Sequence, residues 1–291
     1  MHRNNLGRIL KRMAMMGAAV AVGFCLVMTG CLLAVQRTMV YPGARYEPSW
    51  RRVLPEGLEV LEYSTPEGAQ ISFYQPRSDG NSAPPARLWV CFHGNASTAL
   101  DWLDFLHRYP AGDEAFLLVD FPGYGANEGK PSPAAISEAA DAALATLLER
   151  RGWTEAELEG RLAVLGFSIG GGAALHWARH RPVSGVVVVS TFMSLREMAG
   201  RAVGPFRFVL MYHYDNDVVV RELLSRPNPP RIAVVHGGAD DIVPTDQGRR
   251  LAAIDPAIHW VELPGHDHNT VLYSGQRAVW DAMAWTRMDK E

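Results

Sequence analysis

"LGFSIGGGAALHWARH", Leu165 to His180, is an apolar run that ends on a serine boxed by glycines and passes at once into an alanine-rich helical pattern. Its centre, Gly166-Phe167-Ser168-Ile169-Gly170, has the form G-x-S-x-G. Where that pentapeptide joins a strand to a helix, the turn is tight enough to strain the serine backbone and lift the hydroxyl above the sheet. Glycines two residues to either side are then required, because a Cβ there would strike neighbouring backbone. Leu162–Phe167 supplies the strand and Gly-Gly-Ala-Ala-Leu-His-Trp-Ala the helix, so the context matches. Ser168 reads as a nucleophile; the bland alternative is a structural Gly-Ser turn.

A serine hydroxyl is a poor nucleophile at neutral pH and needs a base, itself held by a carboxylate. Downstream, "VVHGGADDIVP" ends an apolar run near His236 and sets Asp240 in the loop beyond it. Further on, "VELPGHDHNTV" ends another run near Leu263 and offers both His266 and His268. Nucleophile, acid and base in this order suit such a serine turn. Both loops would follow the C-terminal ends of strands, where open α/β sheets bind ligands. Upstream, "LWVCFHGNAS" ends a strand at His93-Gly94-Asn95. That loop is placed to supply one oxyanion N–H, from Asn95 or Ala96, with the other from Ile169 just after the nucleophile. Gly94 would let the backbone approach the substrate. His93 reads as a hydrogen-bonding partner of the loop.

Around these stretches the pattern repeats. Apolar, β-prone runs occur at Leu58–Tyr63, Ile71–Tyr74, Leu88–Phe92, Ala115–Val119, Leu162–Phe167, Gly185–Val189, Ile232–Val235 and Ile258–Leu263. Several are continuous, as strands covered on both faces are. Helical patterns lie between them at Pro133–Arg150, Gly170–His180 and Asp246–Ile254. The alternation predicts a doubly wound, mostly parallel α/β sheet with helices on both faces. Residues 191–230 break it with aromatics, a Gly-Pro and a Pro-Asn-Pro-Pro exit, and read as a short cap insertion.

The chain's 291 residues, 48% of them hydrophobic, suffice for one large domain and an appendage. Its net charge of −3 argues against nucleic acid as a partner. The charge is uneven: residues 1–37 hold Arg3, Arg8, Lys11, Arg12 and Arg37 and no acid, and the remaining 23 basic against 31 acidic residues leave −8. Met13 to Val35 carries no charge; as a helix it would span ~34 Å, enough for a hydrocarbon core of ~30 Å. The basic residues before it place the domain on the far, extracytoplasmic side, although Arg37, Arg45, Arg51 and Arg52 pull the other way. Two other readings stay open: a cleaved signal peptide, and a lipoprotein signal at Val27-Met28-Thr29-Gly30-Cys31 with Cys31 lipidated. The expected organisation is a membrane anchor or lipoprotein signal over 1–36, a connector over 37–56 and the catalytic domain over 57–286, with the anchor outside the fold. No Cys/His cluster, Walker motif or Rossmann glycine pattern occurs, so neither metal nor another cofactor is expected.

Taken together, "YPG" after the apolar run, "HGNA" at 93–96, "DFPGYGANEGKPS" at 120–132, "GFSIGG" at 166–171, "HGGADDIVP" at 236–244 and "HN" at 268–269 resemble the α/β-hydrolase superfamily. More narrowly, they resemble its membrane-anchored serine hydrolases, often labelled serine aminopeptidase-like, over residues 36–286. The resemblance implies Ser168 as nucleophile, Asp240 as acid and His268 as base, with His266 the alternative, and Tyr124 as part of the site wall. It implies hydrolysis of an acyl ester or thioester without a cofactor, with membrane lipid as a partner of the N-terminal segment. Peptide hydrolysis and acyl transfer would use the same residues. A membrane-tethered binding protein on this fold is the alternative from another class.

Overall fold

In each apolar run, alternate side chains leave opposite faces of the pleat, and here both faces are covered. In the computed structural model, which describes residues 2–77 and 82–287, all eight runs are strands of one sheet. In chain order these are β1 (Glu59–Thr65), β2 (Gly68–Gln75), β3 (Arg87–Phe92), β4 (Glu114–Val119), β5 (Leu162–Phe167), β6 (Gly185–Val189), β7 (Arg231–Gly237) and β8 (His259–Leu263). Their spatial order is β1-β2-β4-β3-β5-β6-β7-β8; β2 pairs antiparallel with both β1 and β4, and the remaining pairs are parallel. Val90, Val164, Val188 and Val234 enter one buried cluster, and Cys91, Leu165, Val189 and Val235 the other. Period-2 alternation thus builds two cores from single apolar runs, as expected of a doubly wound sheet.

The helices are α1 (His2–Val40), α2 (Trp102–Leu106), α3 (Pro133–Arg151), α4 (Ile169–Ala178), α5 (Leu195–Val203), α6 (Asn216–Leu224), α7 (Thr245–Ala252) and α8 (Gln276–Trp285). Helix α3 begins where Ser132 Oγ accepts the Ala135 N–H (3.1 Å), has proline in its first turn, and stops at Gly152 in the left-handed region. From β3 the chain crosses to β4 on one side, and from β5 to β6 on the other. The crevice between the C-terminal ends of β3 and β5 is therefore the switch point of the sheet, where α/β folds bind ligands.

Two boundaries differ from expectation. Residues 191–230 are not all cap: Val219, Val220 and Leu223 of α6 are buried in a main core, so α6 is the ordinary crossover from β6 to β7. Its apolar face is too short to stand out beside the aromatic stretch before it. Second, α1 runs past residue 36 without a break, ending at Val40 because Tyr41 precedes Pro42. The segment Leu10–Val40 is long and apolar enough to cross a membrane. Its C-terminal end is not outside the fold: Gln36 and Tyr41 are buried, the Gln36 Oε1 accepts the Met211 N–H (2.7 Å), and Tyr41 Oη donates to Tyr214 Oη (2.9 Å). A count of charges places the boundary at Arg37, whereas packing carries the helix onward.

Below the switch point a buried polar network fixes the β4 loop. Asp120 accepts the Ala99 N–H (2.8 Å) and the Tyr46 hydroxyl (2.6 Å). Its carboxyl is fully buried, and burial pushes its pKa up to about 7. An acid raised above its unfolded value of ~3.9 keeps its proton in the native state while the unfolded chain gives it up. Stability is therefore expected to fall as pH rises from ~4 toward 7, by at most ~1.4 kcal/mol per pH unit. Thermal unfolding in detergent at pH 4.5 and 7 should show this slope in the wild type and a flatter one in Asp120→Asn. Equal slopes would mean that Asp120 ionises as freely in the fold as out of it.

Candidate active site

Strand β5 delivers Ser168 to the crevice with φ 57° and ψ −121°, a conformation that L-residues rarely adopt and that costs ~1–3 kcal/mol. Neighbours hold it there: Ser168 N–H donates to Val189 O (2.8 Å), and Ser168 O accepts Gly171 N–H (3.0 Å) and Thr191 Oγ1 (2.9 Å). A Cβ on Gly166 would lie 2.2 Å from Gly170 O, and one on Gly170 2.2 Å from Phe92 O. Backbone occupies both places, which is why the sequence needs glycine on each side of this serine.

Asp240 leaves β7 in a short turn of its own making: Oδ1 accepts the N–H groups of Ile242 (3.1 Å) and Val243 (2.8 Å). That leaves Oδ2 for His268 Nδ1, 2.7 Å away. Burial by itself would raise the Asp240 pKa, but hydrogen bonds from His236 and His268 outweigh it and hold the carboxyl well below the usual carboxylate range. With Nδ1 donating to a carboxylate, His268 Nε2 is left as the basic nitrogen. His268 lies beside the Phe167 ring (centroids 4.9 Å apart) and faces the same cavity as Ser168. His266 is not in this constellation; its Nδ1 meets Pro264 O (3.2 Å).

His236, read at first only as the end of a strand, belongs to the site. It is fully buried, and its Nε2 lies 2.8 Å from Val243 O and 3.2 Å from Asp240 Oδ2. Both neighbours are acceptors, so Nε2 carries the proton and bridges them. Its place four residues before Asp240 was the available signal.

In the loop after β3, His93 is structural. Its Nδ1 donates to Gly94 O (2.8 Å), its Nε2 accepts the Phe121 N–H (3.3 Å), and burial pushes its pKa down to about 4. Of the two oxyanion candidates, Ala96 has its N–H taken by Asn95 Oδ1 (3.1 Å), whereas the Asn95 N–H meets no acceptor among the described residues. The Ile169 N–H opens α4 and has no intrahelical partner. Two expectations change. Gly94 is small for Phe167, whose ring lies 2.6 Å from where a Cβ would stand, and it is not among the residues that line the cavity. Tyr124 is not on the cavity wall; its buried hydroxyl donates to Asn95 Oδ1 (3.3 Å) and holds that residue from behind.

The cavity has a volume of about 460 Å³. Ser168, Ile169, Asn95, Ala96 and His268 form its floor, and its walls are mostly apolar. Leu195, Met198 and Ala202 of α5 and Phe206 beyond it form one side; Leu32, Gln36, Met39 and Val40 of α1 form another. No sequence pattern announced the α1 wall; a polar Gln36 just past the apolar run was the sole hint. Among the described residues no cluster of His, Cys, Asp and Glu could hold a metal ion.

A family model described as "Alpha/beta hydrolase family" matches residues 89–226. An uncharacterized protein of Mycobacterium tuberculosis is 32% identical over 270 residues, covering 89% of this chain and 90% of that protein. The protein bem46 of Schizosaccharomyces pombe is 25% identical over 253 residues, covering 82% and 80%. Among solved structures, an esterase of Pyrococcus furiosus superposes with a TM-score of 0.57 at 14% identity, covering 83% of this chain and 94% of that one. An esterase of Rhodococcus sp. ECU1013 gives 0.56 at 18%, covering 78% and 98%. At these identities the structural likeness is one of fold.

Proposed function

The chain belongs to the alpha/beta hydrolase family, and on that premise we propose that it is a membrane-anchored serine hydrolase that cleaves ester or thioester bonds through Ser168, His268 and Asp240. The observation that carries this reading is the 2.7 Å bond from His268 to Asp240 in the cavity floored by the strained Ser168. Ser168 Oγ attacks the acyl carbonyl and passes its proton to His268 Nε2. Asp240 stabilises the imidazolium, and the N–H groups of Asn95 and Ile169 receive the oxyanion. The tetrahedral adduct collapses, the C–O or C–S bond breaks, and His268 returns the proton to the leaving group. Water, deprotonated by the same nitrogen, then releases the acid and regenerates Ser168.

The apolar cavity wall favours an acyl chain over a peptide. The basic residues ahead of the apolar run favour an extracytoplasmic domain. The test uses the full chain in detergent. A fluorophosphonate probe is expected to label the wild type, and p-nitrophenyl esters of rising acyl length should gain about fourfold in kcat/KM per methylene, the equivalent of ~0.8 kcal/mol each, until the cavity is full. Folded protein that takes no label would instead mark a binding protein, and a flat chain-length profile would remove the acyl pocket.

A further inference from the structure

The turn Gly204–Val209 and the two residues after it have two faces. Phe206, Arg207, Val209 and Leu210 line the cavity, whereas Phe208 and Met211 stand outward, 68% and 67% exposed. This segment lies along α1. Phe206 meets Phe24 edge to face (centroids 6.5 Å apart), and the Met211 N–H donates to Gln36 Oε1 (2.7 Å). Residues 24 and 36 of a helix are ~18 Å apart along its axis. Phe24 is near the middle of the uncharged run Met13–Val35, and Gln36 directly follows that run. If the run fills a hydrocarbon core of ~30 Å, Phe24 is deep in the bilayer and Gln36 near its edge. A segment touching both descends beside α1 beneath the headgroups.

We propose that Gly204–Met211 is embedded in the leaflet nearest the domain, and that the cavity opens between this segment and α1 so that an acyl substrate enters sideways from the bilayer. The proposal rests on the hydrolase reading and on α1 as a membrane span. Continuity with α1 fixes the occupant, because at that depth lipid chains surround the helix. The polar groups fit this setting. Irregular backbone is tolerated at membrane depth only where its polar groups are paired or face a cavity; Gln36 satisfies the Met211 N–H, and the Leu210 N–H donates to Arg207 O (3.3 Å). Arg207 borders the cavity but is itself exposed, with its guanidinium 4.9 Å from the centroid of the outward Phe208 ring; a long side chain of this kind can carry its charge up to the headgroups while its stem stays among apolar groups.

The experiment reconstitutes the full chain, with Cys25, Cys31 and Cys91 replaced by alanine, into phosphatidylcholine/phosphatidylglycerol vesicles. Nitroxide labels are placed on Phe208→Cys and Met211→Cys, and on Glu159→Cys, an exposed site just before β5 at the opposite end of the strands. Labels at 208 and 211 are expected to collide several times more with oxygen than with a water-soluble nickel chelate, and the label at 159 to do the reverse. Chelate contact at 208 and 211 equal to that at 159 overturns the embedding. The double variant Phe208→Asp/Met211→Asp, which leaves the cavity wall intact, should turn over a water-soluble short ester as the wild type does. It should lose about tenfold on a long-chain ester dissolved in the vesicles. Equal rates on the vesicle ester, or equal losses on both substrates, overturn sideways access. A wild type inactive on both esters overturns the hydrolase reading, while the collision measurement still decides the embedding; one active on the soluble ester alone overturns sideways access.

Discussion

Ser168→Ala is expected to lower ester turnover by ~10⁴–10⁶-fold and to abolish fluorophosphonate labelling, with the fold unchanged. The size follows from the mechanism. Removing Oγ removes the covalent route, and what remains is whatever water attack the oxyanion donors and binding can support. Alanine keeps the Cβ, so the contacts around residue 168 persist, and the bonds to Val189 and Gly171 use backbone atoms alone. The strain at φ 57° arises at the Cβ, which alanine retains, so it is expected to persist unchanged in the variant. The measurement is kcat on a short p-nitrophenyl ester beside a thermal melt. Retained turnover in a folded Ser168→Ala protein would remove the serine from the chemistry and leave His268 and Asp240 to act on water directly.

Asp240→Asn is expected to cost ~10⁴-fold in kcat with little change in KM. Here the hydrogen bonds predict the failure atom by atom. The amide oxygen must take the Oδ1 place, because two backbone N–H groups, of Ile242 and Val243, point at it. The amide nitrogen then faces His268 Nδ1 and donates to it. His268 is forced into the tautomer that carries its proton on Nε2, where it cannot accept one from Ser168. His266→Ala provides the contrast: it does not touch Asp240, and its turnover should match the wild type. A large loss in His266→Ala but not in His268→Ala would move the base to residue 266.

The eight strands and the serine turn were legible because each leaves a local trace. A strand buried on both faces needs an unbroken apolar run, and Leu162–Phe167 and Gly185–Val189 are such runs to the residue. The turn at Ser168 needs glycine where backbone passes 2.2 Å from a Cβ position, and Gly166 and Gly170 stand there. Helix α6 was hidden because nine residues with one short apolar face are not distinctive amid the aromatics that precede them.

The amino-acid sequence by itself determined the layers of the sheet, the strained turn at Ser168 and the loops that carry Asp240 and His268. All of these depend on burial periodicity and turn sterics, which act between residues close along the chain. Only the tertiary structure decided that His268 and not His266 reaches Asp240, that the Ala96 N–H and not that of Asn95 meets an acceptor among the described residues, and that the end of α1 walls the cavity. Those outcomes are distances between residues from 1 to more than 130 positions apart. Each turns on an ångström or two of packing, and no local pattern of residue types records that.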